Sequence, residues 1–194
     1  MRRPFATVAM VAMAAAVLFA MQRSTPRYQD LTGPIPAYGN IGKAASTRLF
    51  DIEVERVEFA RQLVGKRFGG ETRHESAGVW AIVTARMVAR SRSVNVTHAV
   101  WEGPTGLRYE LSDRPEFLPD LPPHTLEPGL PQRGRFVFEI RPDQILGATL
   151  LVSEGPFPRL DSEAHVALNA LPTAADGLPP IAEAFDLQQA GGRP

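Results

Sequence analysis

Residues 48–59 have the sequence RLFDIEVERVEF, in which apolar and charged side chains alternate. The apolar residues Phe50, Ile52 and Val54 alternate with acidic residues at 51, 53 and 55. This period of two predicts a strand with one buried and one solvated face, because successive side chains of a strand point to opposite faces. The alternation changes phase by one residue before Val57, which predicts a β-bulge near Glu55 and Arg56.

Further segments downstream also carry strand signals. They are residues 78–89, 94–101, 107–111, 135–141, 148–153 and 164–168. The run VWAIV at 79–83 is apolar on both faces and predicts a central strand that is covered on two sides. Residues 103–106 (GPTG) separate two of these segments and are typical of a hairpin with a four-residue loop.

Short strands separated by turn signals, with no amphipathic helix among them, predict an all-β fold. We expect an antiparallel β-sandwich of about seven strands, preceded by an amino-terminal hydrophobic helix. A small closed barrel is the alternative, since the number of strands does not distinguish the two architectures.

A series of short motifs runs through this region in a fixed order. They are FDIEV (50–54), GVWAIV (78–83), GLRY (106–109), SDR (112–114), LEPG (126–129) and GRFVFEI (134–140). Over residues 47–153 the chain resembles the bacterial immunoglobulin-like extracytoplasmic domains of unknown function, which are secreted or membrane-anchored. The resemblance implies an immunoglobulin-like sandwich without known catalytic residues. The chain departs from lipid-anchored members, and from antibody-type domains, by having no cysteine.

Residues 5–21 form an almost wholly apolar, uncharged stretch behind Arg2 and Arg3. As a helix it reaches roughly 26 Å, just under the thickness of a bilayer core, and it is longer than most signal-peptide cores of about 7 to 15 residues. The pattern favours an uncleaved signal anchor that crosses the inner or cytoplasmic membrane once and leaves the bulk of the chain extracytoplasmic. The alternative is a signal peptide cleaved near Ala20, which gives a secreted or periplasmic protein.

The composition argues against several classes of protein. The 21 basic and 21 acidic residues give a formal net charge of zero, and nucleic-acid binding requires a concentrated positive field. We therefore expect no nucleic-acid partner. The absence of cysteine excludes disulfides, thiolate chemistry and a lipobox anchor.

The residues that could carry chemistry form no recognisable motif. The histidines are His74, His98, His124 and His165. No two lie within five residues of each other, so a zinc site would have to be assembled in three dimensions. Ser76 lies near His74 and Glu75, but the nucleophile-elbow pattern is missing. We expect no catalytic, cofactor-binding or metal-binding residues, no cofactor, and no enzyme activity.

Acidic residues at 51, 53 and 55 are predicted to share one strand face. Such a stripe could bind a cation such as calcium, but an ordinary solvated face is the favoured interpretation.

We divide the chain into residues 1–21 (signal anchor or signal peptide), 22–46 (flexible linker), 47–170 (sandwich) and 171–194 (a Pro/Gly/Ala-containing tail, predicted to be disordered). A proline-rich segment, 113–133, is either a binding surface or a stiff connection between the sheets. The candidate interaction residues are Trp80, Trp101, Asp113, Arg114 and Phe185.

These observations favour a non-enzymatic, membrane-tethered domain that serves as an accessory, assembly or binding subunit of the bacterial cell envelope. Its expected partners are the membrane, through residues 5–21, and an envelope protein.

An extracytoplasmic carrier of a small apolar ligand or lipid is the alternative. It requires a cavity of roughly 300 Å³ or more between the sheets. The residues expected to line that cavity are Trp80, Trp101, Tyr109, Phe136 and Phe138. A metal-dependent hydrolase would need two histidines and a carboxylate to converge.

Overall fold

The structure is a computed structural model that describes residues 3–24, 32–67, 70–115, 121–156, 162–174 and 177–188. The chain divides into two compact units, Met1–Gly33 and Pro34–Pro194. The first unit contains helix α1 (Arg3–Ser24). Its side chains from Thr7 to Ser24 are exposed, and this window has a mean hydropathy of 1.5 and the length of a membrane span. The predicted apolar helix is confirmed, and its properties fit an anchor and a signal sequence alike.

The described part of the second unit is built from strands joined by turns and one short 3-10 helix, Pro142–Gln144. The strands are β1 (Ile35–Asn40), β2 (Ala45–Ser46), β3 (Phe50–Arg67), β4 (Gly70–Ala89), β5 (Val94–Val96), β6 (His98–Glu102), β7 (Arg108–Glu110), β8 (His124–Leu126), β9 (Gln132–Ile140), β10 (Thr149–Ser153), β11 (Ser162–Ala167) and β12 (Ile181–Asp186).

Two larger sheets pack face to face. Sheet A has the strand order β1-β11-β10-β6-β7, and sheet B has the order β12-β3-β4-β9, with β2 also paired to β3. Neighbours inside these sheets are antiparallel, whereas the edge strands β1 and β12 add in parallel to β11 and β3. Because the strands form two separate sheets, the predicted β-sandwich is confirmed and the closed barrel is wrong. The finer immunoglobulin-like class stays a prediction.

The main core fills the space between the two sheets. Alternate residues of β3, β4 and β9 face residues of β6, β10 and β11 across it. Trp101 lies at its centre, with its ring 6.0 Å from the ring of Phe59 and 6.1 Å from that of Phe138. All three side chains are buried. These three rings pack against one another between the sheets, which favours a filled core over the carrier alternative.

A second, smaller cluster covers the outer face of sheet B. Its buried members are Ala60, Leu63, Trp80, Ile82, Leu121, Val137 and Leu187. Trp80 and Ile82 alternate along β4 with residues of the main core, which places them on the opposite face. The central strand β4 is thus covered on both sides, as its apolar sequence predicts.

Two local predictions are also confirmed. The register between β3 and β4 shifts between Val54 and Arg56, so the predicted bulge lies at Glu55. Strands β6 and β7 form the predicted hairpin, in which the Gly106 amide donates to the Gly103 carbonyl at 2.9 Å. Gly106 has a φ of 79°, a conformation that glycine adopts without strain.

The boundaries of the domain differ from those expected. Residues 35–40 and 45–46, assigned to a linker, form β1 and β2, and residues 181–186 of the supposedly disordered tail form β12. Each is an edge strand held by backbone pairing, so it needs no apolar alternation of its own and gives no periodic signal. Pro36 is tolerated in β1 because an edge strand can lack an amide donor.

The proline-rich segment 113–133 also contains unexpected structure. Strand β8 (His124–Leu126) pairs with β5 in a small third sheet. This pairing separates β5 from β6, which were predicted as one strand, because β6 pairs instead with β10. Residues 116–120 of the segment lie outside the described residues.

Candidate functional site

The two tryptophans predicted to lie on an interaction surface are both fully buried, with 0% of each side chain exposed. Each indole N–H finds a backbone acceptor: Trp80 donates to the His74 carbonyl and Trp101 to the Gln144 carbonyl, both at 2.9 Å. Because their one polar group is satisfied internally, neither ring needs contact with water. Their assignment to an exposed surface is corrected.

Arg114 packs on the solvent side of the second cluster. Its guanidinium carbon lies 5.2 Å from the centre of the Trp80 ring. The same guanidinium pairs with Glu139 at 2.8 Å and donates to the Glu75 carbonyl at 2.9 Å. The stacking and both hydrogen bonds hold the side chain against the sheet. Arg114 therefore stabilises the position of the proline-rich segment against sheet B.

The remaining candidate interaction residues differ in their surroundings. Asp113 is exposed beside Arg114. Phe185, on β12, is half-buried and packs against the second cluster, which also contains Trp80. The structure thus brings Trp80, Arg114 and Phe185 to one face of sheet B and leaves Trp101 in the main core.

The histidines are dispersed over the domain. His98 lies 3.5 Å from Glu110, and His165 lies 2.7 Å from Glu163. His124 is buried with its ring edge-on to Phe136. Among the residues that the structure describes, no three histidine or acidic side chains come close enough together to hold a metal ion.

The acidic stripe on β3 is balanced by arginines. Arg133 pairs with Glu55 at 2.9 Å, and Arg90 lies 3.9 Å from Asp51. Glu53 has Arg86 as its cross-strand partner. These cations favour a charge-compensated solvated face over a calcium site.

One cleft in the described part of the chain has a volume of about 560 Å³. Its walls include Leu111, Asp113, Pro123 and Val137. Pro115 and Leu121 also line it, and they border residues 116–120, which lie outside the described residues.

A second cleft, of about 310 Å³, lies on the outer face of sheet A and is lined by described residues only. Two rows of side chains that cross the strands form it. In the first row, Tyr38 of β1 is paired with His165 of β11, which is paired with Leu151 of β10. In the second row the order is Asn40, Ala167, Thr149 and Glu102. We call this the sheet A cleft.

The depth of the sheet A cleft follows from the size of its residues. Val166 and Leu150 point into the main core, so their neighbours Ala167 and Leu151 face outward. Ala167 is small, which leaves a depression in the second row between Asn40 and Thr149. Leu151 is only 5% exposed and forms an apolar part of the floor.

Tyr38 lies at the rim of the sheet A cleft. Its side chain is 76% exposed, more than any other large apolar or aromatic residue described in the second unit. Its ring meets the His165 ring edge to face, with centroids 5.5 Å apart. Sequence reasoning missed this residue because it lies in a segment assigned to a linker. The local pattern IPAYGN gives no strand signal that would correct that assignment.

Comparison with known proteins adds limited information. No protein-family model matches the chain, and no curated protein matches its sequence. An uncharacterised β-sandwich protein from Clostridium difficile 630 is 13% identical, with a TM-score of 0.45 over 75% of this chain and 100% of that one. The secreted protein MPT63 from Mycobacterium tuberculosis is 15% identical, with a TM-score of 0.48 over 70% of this chain and 98% of that one. Similarity at this level supports no statement about function.

Proposed function

We propose that this protein is a non-enzymatic β-sandwich domain, tethered to the inner membrane and facing away from the cytoplasm. In this position it serves as an accessory, assembly or binding subunit of the bacterial cell envelope. Helix α1 is the observation that carries the proposal, because it is apolar, exposed and long enough to cross a bilayer.

The dimensions of helix α1 support a spanning anchor. Its apolar window Thr7–Ser24 has 18 residues and extends about 27 Å at about 1.5 Å per residue, just under a hydrocarbon core of about 30 Å. Arg23 lies in the last turn, with its guanidinium carbon 4.8 Å from the centre of the Phe19 ring. An arginine at the end of a span can extend its charged group to the membrane–water interface.

The polar side chains of the sandwich support a binding role over catalysis. Ser76, which lies near His74 and Glu75 in the sequence, donates to Glu139 at 2.8 Å, and Glu139 in turn accepts from Arg114. Such a carboxylate is engaged in a structural ion pair and is not positioned to activate a nucleophile through histidine. An envelope domain of this kind acts through its surface.

Extraction of membranes at alkaline pH, combined with protease treatment of spheroplasts, tests the tether. We expect the full chain to resist extraction and the sandwich to be digested from outside. Val11→Arg should release or mislocalise the protein, because arginine at the centre of a span costs about 2.5 to 3.5 kcal/mol. Val11→Leu is the matched control. Mass spectrometry that finds a mature protein beginning at Met21 or Gln22 would replace the tether with a secreted domain.

Blue-native electrophoresis after gentle solubilisation tests the assembly role. We expect the protein in a complex with at least one other envelope protein. Recovery of a lone monomer under several mild detergents would contradict assembly and leave only a binding role.

A further inference from the structure

We propose that the sheet A cleft binds a neutral saccharide chain, with Tyr38 as the stacking platform. The proposal rests on the proposed function only for location, since it requires that the domain meet glycans outside the cytoplasm. Its chemistry is argued from the cleft itself.

The shape of the cleft suits an elongated ligand. Its lining residues come from β1, β11, β10 and β6, which are consecutive neighbours in sheet A. At about 4.8 Å between strands, the cleft is about 14 Å long. Its volume of about 310 Å³ lies at the lower end of the range of roughly 300 to 1,000 Å³ that is typical of ligand pockets.

The Tyr38 ring has one neighbouring ring and is otherwise open to solvent. His165 contacts it edge to face, and Glu163 pairs with the His165 ring at 2.7 Å. The tyrosine is 76% exposed, so a ring face is available for stacking. A tyrosine side chain has only two torsions and loses little conformational entropy on binding. The apolar C–H face of a sugar ring is a matching partner for such a surface.

The polar groups around the cleft are suited to hydroxyls. Asn40 and Thr149 each offer donors and acceptors, and the Glu102 carboxylate accepts. Glu102 is paired with Arg108 at 2.7 Å, so its charge is compensated. No lysine or arginine is among the residues that line the cleft. An anionic ligand would therefore find no lysine or arginine in the lining and would compete with Glu102 for Arg108, whereas a neutral polyhydroxylated ligand finds both stacking and hydrogen bonds.

Two other ligand classes fit less well. A lipid chain needs an enclosed apolar cavity, and here only Leu151 and Ala167 supply an apolar floor beneath an open cleft. A peptide that binds by strand addition needs a free sheet edge. Such a peptide would pair with the outer edge of β1, beside the cleft, and would not cover β11, β10 and β6, which are paired on both sides.

Binding can be measured on the full chain in a detergent with an ether headgroup, which avoids the sugar headgroup of maltoside detergents. The probes are the neutral oligosaccharides maltotetraose, cellotetraose, mannotetraose and chitotetraose, with oligogalacturonate as an acidic probe. We expect at least one neutral probe to bind, as measured by calorimetry or by chemical-shift changes. Tyr38→Ala should weaken this binding by about tenfold or more, which corresponds to about 1.4 kcal/mol.

Variants with different expected effects make the assignment specific. Tyr38→Trp keeps a stacking ring and should retain binding. Leu130→Ala removes a side chain of similar exposure (66%) that does not line the cleft, and it should bind like the wild type. Thr149→Val keeps the shape of its side chain but removes a hydroxyl, and it should weaken binding several-fold. It serves as the second test if Tyr38→Ala does not fold.

Several results would overturn the proposal. They are binding of none of the neutral probes, preference for the acidic probe, or unchanged affinity in both Tyr38→Ala and Thr149→Val. The measurement is independent of the membrane test, because a secreted form of the protein would carry the same cleft. Loss of the tether with retained sugar binding would reject the anchor alone, and the reverse result would reject the saccharide site alone.

Discussion

Replacing Leu187 by alanine tests whether the end of the chain belongs to the folded domain. Leu187 is 2% exposed and is part of the second cluster on sheet B. Its amide donates to the Val64 carbonyl at 2.9 Å, and its own carbonyl accepts from Arg135. These contacts fasten the residue that follows β12 to the sheet, in a segment whose sequence predicts disorder.

The expected loss of stability follows from the buried side chain. The substitution removes three carbon atoms, which at about 0.8 kcal/mol each amounts to about 2.4 kcal/mol of transfer free energy. Leu187 belongs to the small second cluster, so the site can partly collapse, and the additional cavity cost is small. We expect a total loss of about 2.5 to 3 kcal/mol in the free energy of unfolding. For a domain of about 160 residues this corresponds to a decrease in Tm of about 5 to 12 °C.

Urea unfolding of the full chain, followed by tryptophan fluorescence, measures this loss, since Trp80 and Trp101 report on the two clusters. Leu178→Ala is the matched control, because that leucine is 43% exposed, and it should change stability by less than about 0.5 kcal/mol. If Leu187→Ala is no more destabilising than Leu178→Ala, the segment is not docked and the reasoning is refuted.

Three further substitutions test other parts of the fold. Gly78→Ala should cost about 1 to 3 kcal/mol of unfolding free energy, because the added Cβ would lie 2.2 Å from the Ile140 carbonyl oxygen. Trp101→Phe should cost about 1 to 3 kcal/mol, since the buried Gln144 carbonyl loses its donor. The hydrogen bond from the Gln144 side chain holds the pKa of Asp143 below its usual range, so the ionised carboxylate stabilises the fold above an unfolded-state pKa of about 3.9. This contribution is lost as the pH falls through the lower folded-state pKa, so Asp143→Asn should lower the urea midpoint at about pH 7 and not at about pH 2.

Each of these predictions has a direct check. Gly65→Ala is the control for Gly78→Ala, because nothing lies within 4 Å of its added Cβ, and equal destabilisation by both would contradict the steric argument. Full stability of Trp101→Phe would show that the indole hydrogen bond is dispensable. The same decrease in midpoint at both pH values would exclude ionisation as the cause for Asp143→Asn.

The interior strands could be predicted because burial imposes a pattern on their side chains. The alternation at 50–54 and the two-faced apolar run at 79–83 both arise from contact with a core, and the structure confirms both strands. Edge strands do not require this side-chain pattern. Strands β1 and β12 are held by backbone hydrogen bonds to one neighbour, which any sequence can form.

The candidate site also contains residues that the sequence indicates and residues that it does not indicate. Trp80 and Trp101 were natural candidates for a surface because they are large and amphipathic, yet both rings are buried with their N–H groups satisfied. The exposed aromatic residue is Tyr38, which lies next to glycine and proline in the segment IPAYGN. Its partners in the sheet A cleft lie more than 60 positions away in the sequence, at Glu102, Thr149 and His165.

The sequence by itself determined the apolar amino-terminal helix and the all-β class of the fold. Both follow from side-chain polarity along a short stretch of chain, which is a local property. Only the tertiary structure decided which strands form the edges, where the domain begins and ends, and which aromatic ring faces water. These features depend on strand order and register, and residues distant in the sequence become neighbours only when the sheets assemble.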